Sequence, residues 1–120
     1  MDSISALLSA NLHEVFGNRD AIARHAAVER IYSEDVVFID PEGTSRGRSA
    51  VEGKAAALLD DAPSNFVFVE DGERYVGEDI GALAWAFGPL GAPVARGIDV
   101  LTILDGTITS VRTFFIDTSK

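Results

Sequence analysis

Two carboxylates in apolar company are the residues of this 120-residue sequence whose chemistry stands out. Asp99 sits in GIDVLTIL, where strand alternation puts it on the side of Leu101 and Ile103 while Val100 and Thr102 face the other way. Burial disfavours the charged form of such a group, so it either collects hydrogen-bond donors or keeps its proton near neutral pH and becomes a donor itself. Asp40 closes the apolar run VVFID directly before Pro41, with the parity of Phe38 and Val36. One carboxylate near water and another deep in an apolar pocket have proton affinities pushed apart, which is what a general base and a general acid working together need. Each has a plain structural alternative. A strand shift or bulge would send Asp99 to solvent or to an ion pair with Arg96 or Arg112, and Asp40 before Pro-Glu-Gly has the makings of an Asx turn.

The remaining candidates are weaker. His25 falls in the apolar stripe expected for a second helix, near Tyr32 in projection, either as a core histidine with one buried partner or as a pocket group. Trp85 alternates with Leu83 and Phe87, and Phe115 shares a face with Val111 and Thr113; all are cavity walls or ordinary core. His13 reads as solvent-facing. Two histidines without a ligand spacing, and no cysteine at all, give no grounds for a metal site, and no cofactor is expected. Phosphate loops, dinucleotide fingerprints and the Gly-x-Ser-x-Gly elbow are absent from the sequence.

The elements that must position these groups follow from periodicity. Ile4, Leu8, Leu12 and Val15 mark an amphipathic helix over 4–16, and Gly17-Asn18 ends it. With Asn18 as cap, a second helix over 19–31 would turn Ala21, Ile22, His25, Val28 and Tyr32 inward. A strand runs through Val36–Asp40, and a short strand follows it before the third helix. Ser49 and Glu52 then form a capping box for a third helix over 50–60, with Ala50, Val51, Ala55 and Leu58 or Leu59 buried. Four period-two runs close the chain, roughly 65–77, 80–88, 94–105 and 107–117, the last two joined by the hairpin signal Asp105-Gly106. Helices before an antiparallel sheet indicate a single α+β domain, residues 1–120, with helices on one face of a curved sheet.

Composition bounds the function. Forty-seven per cent hydrophobic residues suffice for a core, and a net charge of −9 repels phosphate backbones and anionic bilayers, so neither nucleic acid nor membrane is an expected partner. The amino terminus lacks a positive region followed by a long apolar run, and no stretch approaches the ~20 apolar residues of a spanning helix, so a cytoplasmic location is expected. Val100, Thr102, Ile108, Phe114 and Ile116 make a second apolar sheet face that three helices cannot also cover, which points to a homodimer through that face.

The segments IYSEDVVFIDPEG, RGRSAVEG and GIDVLTILDGTITSVRTFF, in this order of elements, resemble the nuclear transport factor 2-like (cystatin-like) superfamily, especially SnoaL-like proteins and ketosteroid isomerases. The resemblance spans nearly the whole chain and implies a cone-shaped, mixed but mainly antiparallel sheet wrapped around the amino-terminal helices and an apolar pocket. In that likeness Asp40 matches the general base, Asp99 the acid that hydrogen-bonds a developing oxyanion, Tyr32 a pocket tyrosine and Phe115 a pocket wall. The first-helix tyrosine of the isomerases has Leu12 in its region here, and His25 is the candidate substitute for it. The implied activity is that of an isomerase or cyclase acting on a small apolar carbonyl compound. The same fold also serves as a ligand-binding or dimerising module without catalysis.

Overall fold

The computed structural model describes residues 3–116. Ser3 caps α1 (Ile4–Ser9) by accepting from the Ala6 amide. The stripe of α1 continues into a π-helical segment, Ala10–Phe16, whose end is sealed by Gly17 N donating to Leu12 O at 2.7 Å, an i→i+5 bond. Leu8, Leu12 and Val15 are buried, as the periodicity predicts, and Leu7 with them, while Ile4 is half-buried.

The second helix differs from expectation in phase. α2 spans Ala21–Ile31 and its cap is Asp20, which accepts from the Ile22 and Ala23 amides, while Asn18 accepts from Asp20. Because the chain leaves the helix at Ile31, Tyr32 no longer belongs to the stripe, and the buried set becomes Arg24, Ala27, Val28 and Ile31. Ile22 is therefore 85% exposed. Arg24 tolerates the inward position because its stem is apolar and its guanidinium donates to Asn18 O.

β1 (Tyr32–Asp40) begins four residues before the expected strand, and β2 (Gly43–Arg46) pairs back on it. α3 spans Arg48–Asp61 and starts from Gly47, whose φ of 95° admits glycine easily. The Ser49 capping box does not form: the helix begins before Ser49, and Glu52 turns to His25 instead. The buried side of α3 is Val51, Ala55 and Leu59.

β3 (Phe66–Val76), β4 (Ile80–Pro89), β5 (Ala95–Leu104) and β6 (Thr107–Phe115) form an antiparallel meander. The expected end of the last strand at residue 117 lies outside the described residues. Asp105 (φ 53°) and Gly106 (φ 79°) make the tight β5–β6 turn that Asp-Gly favours. β1 joins β6 in parallel, giving a mixed six-stranded sheet in the order β2-β1-β6-β5-β4-β3. The helices pack on one face, against Phe38, Leu83, Trp85, Phe87, Leu101 and Val111. A register shift between Thr102 and Ile103 moves Ile108, expected on the outer face, into the core. Phe114 and Ile116 do stay outside, 47% and 57% exposed. No described helix is long and apolar enough to cross a membrane.

Candidate active site

Between α3, the end of the π-helical segment and the helix-facing side of the sheet lies a cavity of about 390 Å³, within the range of small-molecule pockets. Its apolar walls are Phe16, Phe38, Phe68, Trp85 and Phe115, and its polar groups include Asp40, Lys54 and Asp99. The aromatic rings brace one another. Phe16 stacks on Phe38, and Trp85 meets Phe68 and Phe115 edge to face at 5.5 and 5.7 Å. Trp85 lies directly over its cross-strand partner Gly97, where an added Cβ would come within 2.5 Å of the indole, so glycine is what lets the ring lie against the strand.

Strand alternation carries Asp99 onto the helix-facing side, as its parity requires, and leaves it 8% exposed. No arginine pairs with it: Arg96 points to Asp71 at 3.7 Å. Three neutral groups donate to the carboxylate instead. Trp85 Nε1 reaches Oδ1 at 3.1 Å, Thr113 Oγ1 reaches Oδ1 at 2.8 Å, and Asn11 Nδ2 reaches Oδ2 at 3.2 Å. Burial outweighs these donors and pushes the Asp99 carboxyl up to about 6.

Asp40 ends β1 in the Asx turn that its sequence allows. Its Oδ1 accepts from the amides of Glu42 and Gly43 at 2.9 and 3.2 Å. Its Oδ2 accepts from Lys54 Nζ at 2.9 Å, and the same ammonium donates to Glu42 at 2.8 Å and lies 6.0 Å over the Phe38 ring. The two carboxylates raise the Lys54 ammonium above its ordinary value, chiefly through the Glu42 hydrogen bond, so it stays charged. A carboxylate offers about four acceptor positions, and three are filled on Asp40 as on Asp99. One position on each carboxyl group is left for a ligand or a proton.

The structure thus brings Asp40, Asp99, Trp85 and Phe115 to one cavity. Leu12 and Tyr32 are fully buried and do not line it, and neither does Phe87, which stacks on the lining Phe68 at 4.3 Å. His25 does not join them. It is exposed on α2, where Glu52 accepts from Nδ1 at 2.9 Å and Glu29 stands 3.7 Å from Nε2, because the helix phase set by Val28 and Ile31 turns it outward. Hydrogen bonding to Glu52 raises its proton affinity. His25 therefore cannot replace the first-helix tyrosine at the Asp99 end of the cavity. The π-helical segment instead places Asn11 against Asp99, buried and not lining the cavity, with its Oδ1 also accepting from the Tyr32 hydroxyl. A lone amide inside an apolar helical stripe was the available signal for it. Nothing in the local sequence marks Lys54, since only the return of α3 along β1 brings it to Asp40.

A family model of the SnoaL-like domain matches residues 10–111. No curated protein matches the chain. Among solved structures, a protein assigned as an isomerase of the SnoaL-like family from Agrobacterium tumefaciens superposes with a TM-score of 0.85 at 22% identity, over 94% of this chain and 97% of that one. A protein of unknown function with a cystatin-like fold from Xanthomonas campestris gives 0.74 at 22% identity, over 97% and 92%. A protein assigned as a SnoaL-like polyketide cyclase from Jannaschia gives 0.74 at 14% identity, over 93% and 83%. The architecture is the one these proteins share, and with its family match over most of its length the chain belongs to the SnoaL-like family.

Proposed function

We propose that the cavity binds a small neutral carbonyl compound with an apolar body, and that its two carboxyl groups move a proton on it, as in an isomerase or a cyclase. The observation that carries the reading is that Asp40 and Asp99, in different surroundings, line one aromatic-walled cavity of about 390 Å³. Asp40 takes a proton from the carbon beside the carbonyl. The bonding pair moves to the oxygen, and protonated Asp99 donates a hydrogen bond to the enolate that forms. Returning the proton to another carbon gives an isomer. Attack of the enolate carbon on a second carbonyl of the same molecule closes a ring, and the proton passes to the new alkoxide. Isomerase and polyketide cyclase, the activities assigned to two of the similar structures, are both compatible with an enolate.

A second reading, binding without turnover, draws on one observation: the Asx turn and Lys54 already occupy three acceptor positions of Asp40. One experiment separates the two. Small apolar ketones that change the emission of Trp85, the chain's single tryptophan, are incubated with the protein in heavy water, and loss of the α-proton signal is followed by NMR. The catalytic reading expects accelerated exchange that Asp40→Asn slows by a factor on the order of 10² or more. Ketones that bind without accelerated exchange would leave the binding reading in its place.

The outer sheet face, with Val67, Val69 and Phe114 between 36% and 47% exposed, is the surface on which a second copy would dock. Sedimentation equilibrium checks this: a dimer in the unaltered protein and a monomer in Phe114→Arg are expected, and a monomer in both removes the dimer.

A further inference from the structure

Among the described residues the buried polar or charged side chains are Asn11, Arg24 and Asp99, and two of these touch each other. Asn11 stands on the π-helical segment with 1% exposure, between Asp99 on β5 and the fully buried Tyr32 at the start of β1. π-Helical turns recur at functional sites because the extra residue re-aims a side chain. The Tyr32 hydroxyl has Asn11 Oδ1 as its hydrogen-bond acceptor. Turning the amide over would leave that hydroxyl hydrogen buried and unpaired, so Oδ1 belongs to Tyr32 and Nδ2 must point to Asp99 Oδ2. Trp85 Nε1 can only donate, and Thr113 donates in the observed arrangement.

We propose that Asn11 and Tyr32 are positioning residues for Asp99: Tyr32 fixes the sense of the Asn11 amide, which with Trp85 and Thr113 leaves a single acceptor position on the carboxyl group to carry or release the proton. The groups facing Asp99 are consistent with this control. From β4 and β6 they are the neutral Trp85 and Thr113, and from the helical segment the neutral Asn11. The charged groups, Asp40 and Glu42 around the β1–β2 turn and Lys54 and Asp61 on α3, line the same cavity but make no hydrogen bond to it. Tyr32 raises no charge of its own, because burial holds its hydroxyl protonated far above the ordinary range.

The proposal rests on Asp99 being the proton-bearing group of the cavity, but its test needs no substrate, so it fails or stands apart from the proton-transfer reading. The titration of Asp99 is followed through its carboxyl carbon by NMR, assigned by its loss in Asp99→Asn, and through the emission of Trp85. The midpoint is expected near pH 6. Asn11→Leu should raise it by about one pH unit, since a donor to the charged form is lost. Tyr32→Phe should raise it in the same direction by less, and adding Tyr32→Phe to Asn11→Leu should move it no further, because Tyr32 acts only through the amide. A residue that merely supports packing would lower the melting temperature and leave the midpoint in place. An unmoved midpoint in Tyr32→Phe, or shifts that add in the double variant, would overturn the relay. Should Asn11→Leu not fold, Tyr32→Phe alone, with Asn11→Gln as the conservative replacement, decides the matter: an upward shift supports the relay and none refutes it.

Discussion

Trp85 donates its indole hydrogen to Asp99 Oδ1 over 3.1 Å, tying the chain's single tryptophan to its one deeply buried carboxylate among the described residues. The two residues sit on neighbouring strands but are not register partners. Trp85 pairs with Gly97 and Asp99 with Leu83, so the bond runs diagonally along the helix-facing side of the sheet, made possible by the missing side chain at Gly97. The aromatic wall and the buried carboxylate of the cavity are therefore joined directly.

Asp99 makes stability depend on pH in an unusual sense. Its carboxyl is raised from 3.8 to about 6 by burial, so the folded state binds the proton more tightly than the unfolded chain. The favourable contribution is complete below about pH 4 and is lost as pH rises through about 6. The difference corresponds to roughly 3 kcal/mol, an order-of-magnitude figure from 1.36 kcal/mol per pH unit. Asp99→Asn cannot ionise and should lack this decline. Chemical denaturation of both proteins at pH 4, 5, 6 and 7 checks it, and parallel curves would show that Asp99 does not titrate in this window.

Glu70 works in the opposite direction. Hydrogen bonds from Arg74 first and His13 second hold its carboxyl down to about 2. Arg74 also donates to Ser5 and Ser9, so the group fastens the first helix to β3 across the register shift between Glu70 and Arg74. The contribution of a lowered carboxyl is present above about pH 4.5 and disappears as pH falls through about 2. Glu70 is a third exposed, and screening keeps the effect below about 1 kcal/mol. Glu70→Gln should therefore lower the melting temperature by a few degrees at pH 7 and hardly at all at pH 2.5. An equal loss at both values would assign the effect to packing.

Asp40 joins a turn, an ion pair and the cavity, and two substitutions separate these roles. Asp40→Asn keeps an oxygen for the Glu42 and Gly43 amides but turns an NH2 group toward Lys54, so it loses both the charge and the hydrogen bond of a partly exposed pair worth about 1 kcal/mol or less. Asp40→Ala loses the turn as well and should cost a further ~1 kcal/mol. Thermal melts of the two variants test this ordering. If Asp40→Asn destabilises as much as Asp40→Ala, the Lys54 pair and not the turn holds this corner, and Asp40 serves the fold more than the chemistry.

The sequence by itself determined the order of elements, the parity of Asp99 and the Asp-Gly hairpin, because alternation, helical spacing and turn chemistry are local properties that neighbouring residues impose. It also carried the Asx turn of Asp40, since Asp-Pro-Glu-Gly specifies that geometry within four residues. The phase of α2 was beyond it. Tyr32 reads as the end of a helical stripe but pairs with β6 as a strand residue, and α2, with Val28 and Ile31 facing inward, turns His25 to solvent and buries Arg24. The contacts around the cavity's two carboxylates belong wholly to tertiary structure. Asn11 and Asp99 are separated by 88 positions and Lys54 and Asp40 by 14, and no local rule relates them. They meet because the sheet must bury its helix-facing side under the helices, and the polar groups trapped by that burial must find their hydrogen bonds from one another.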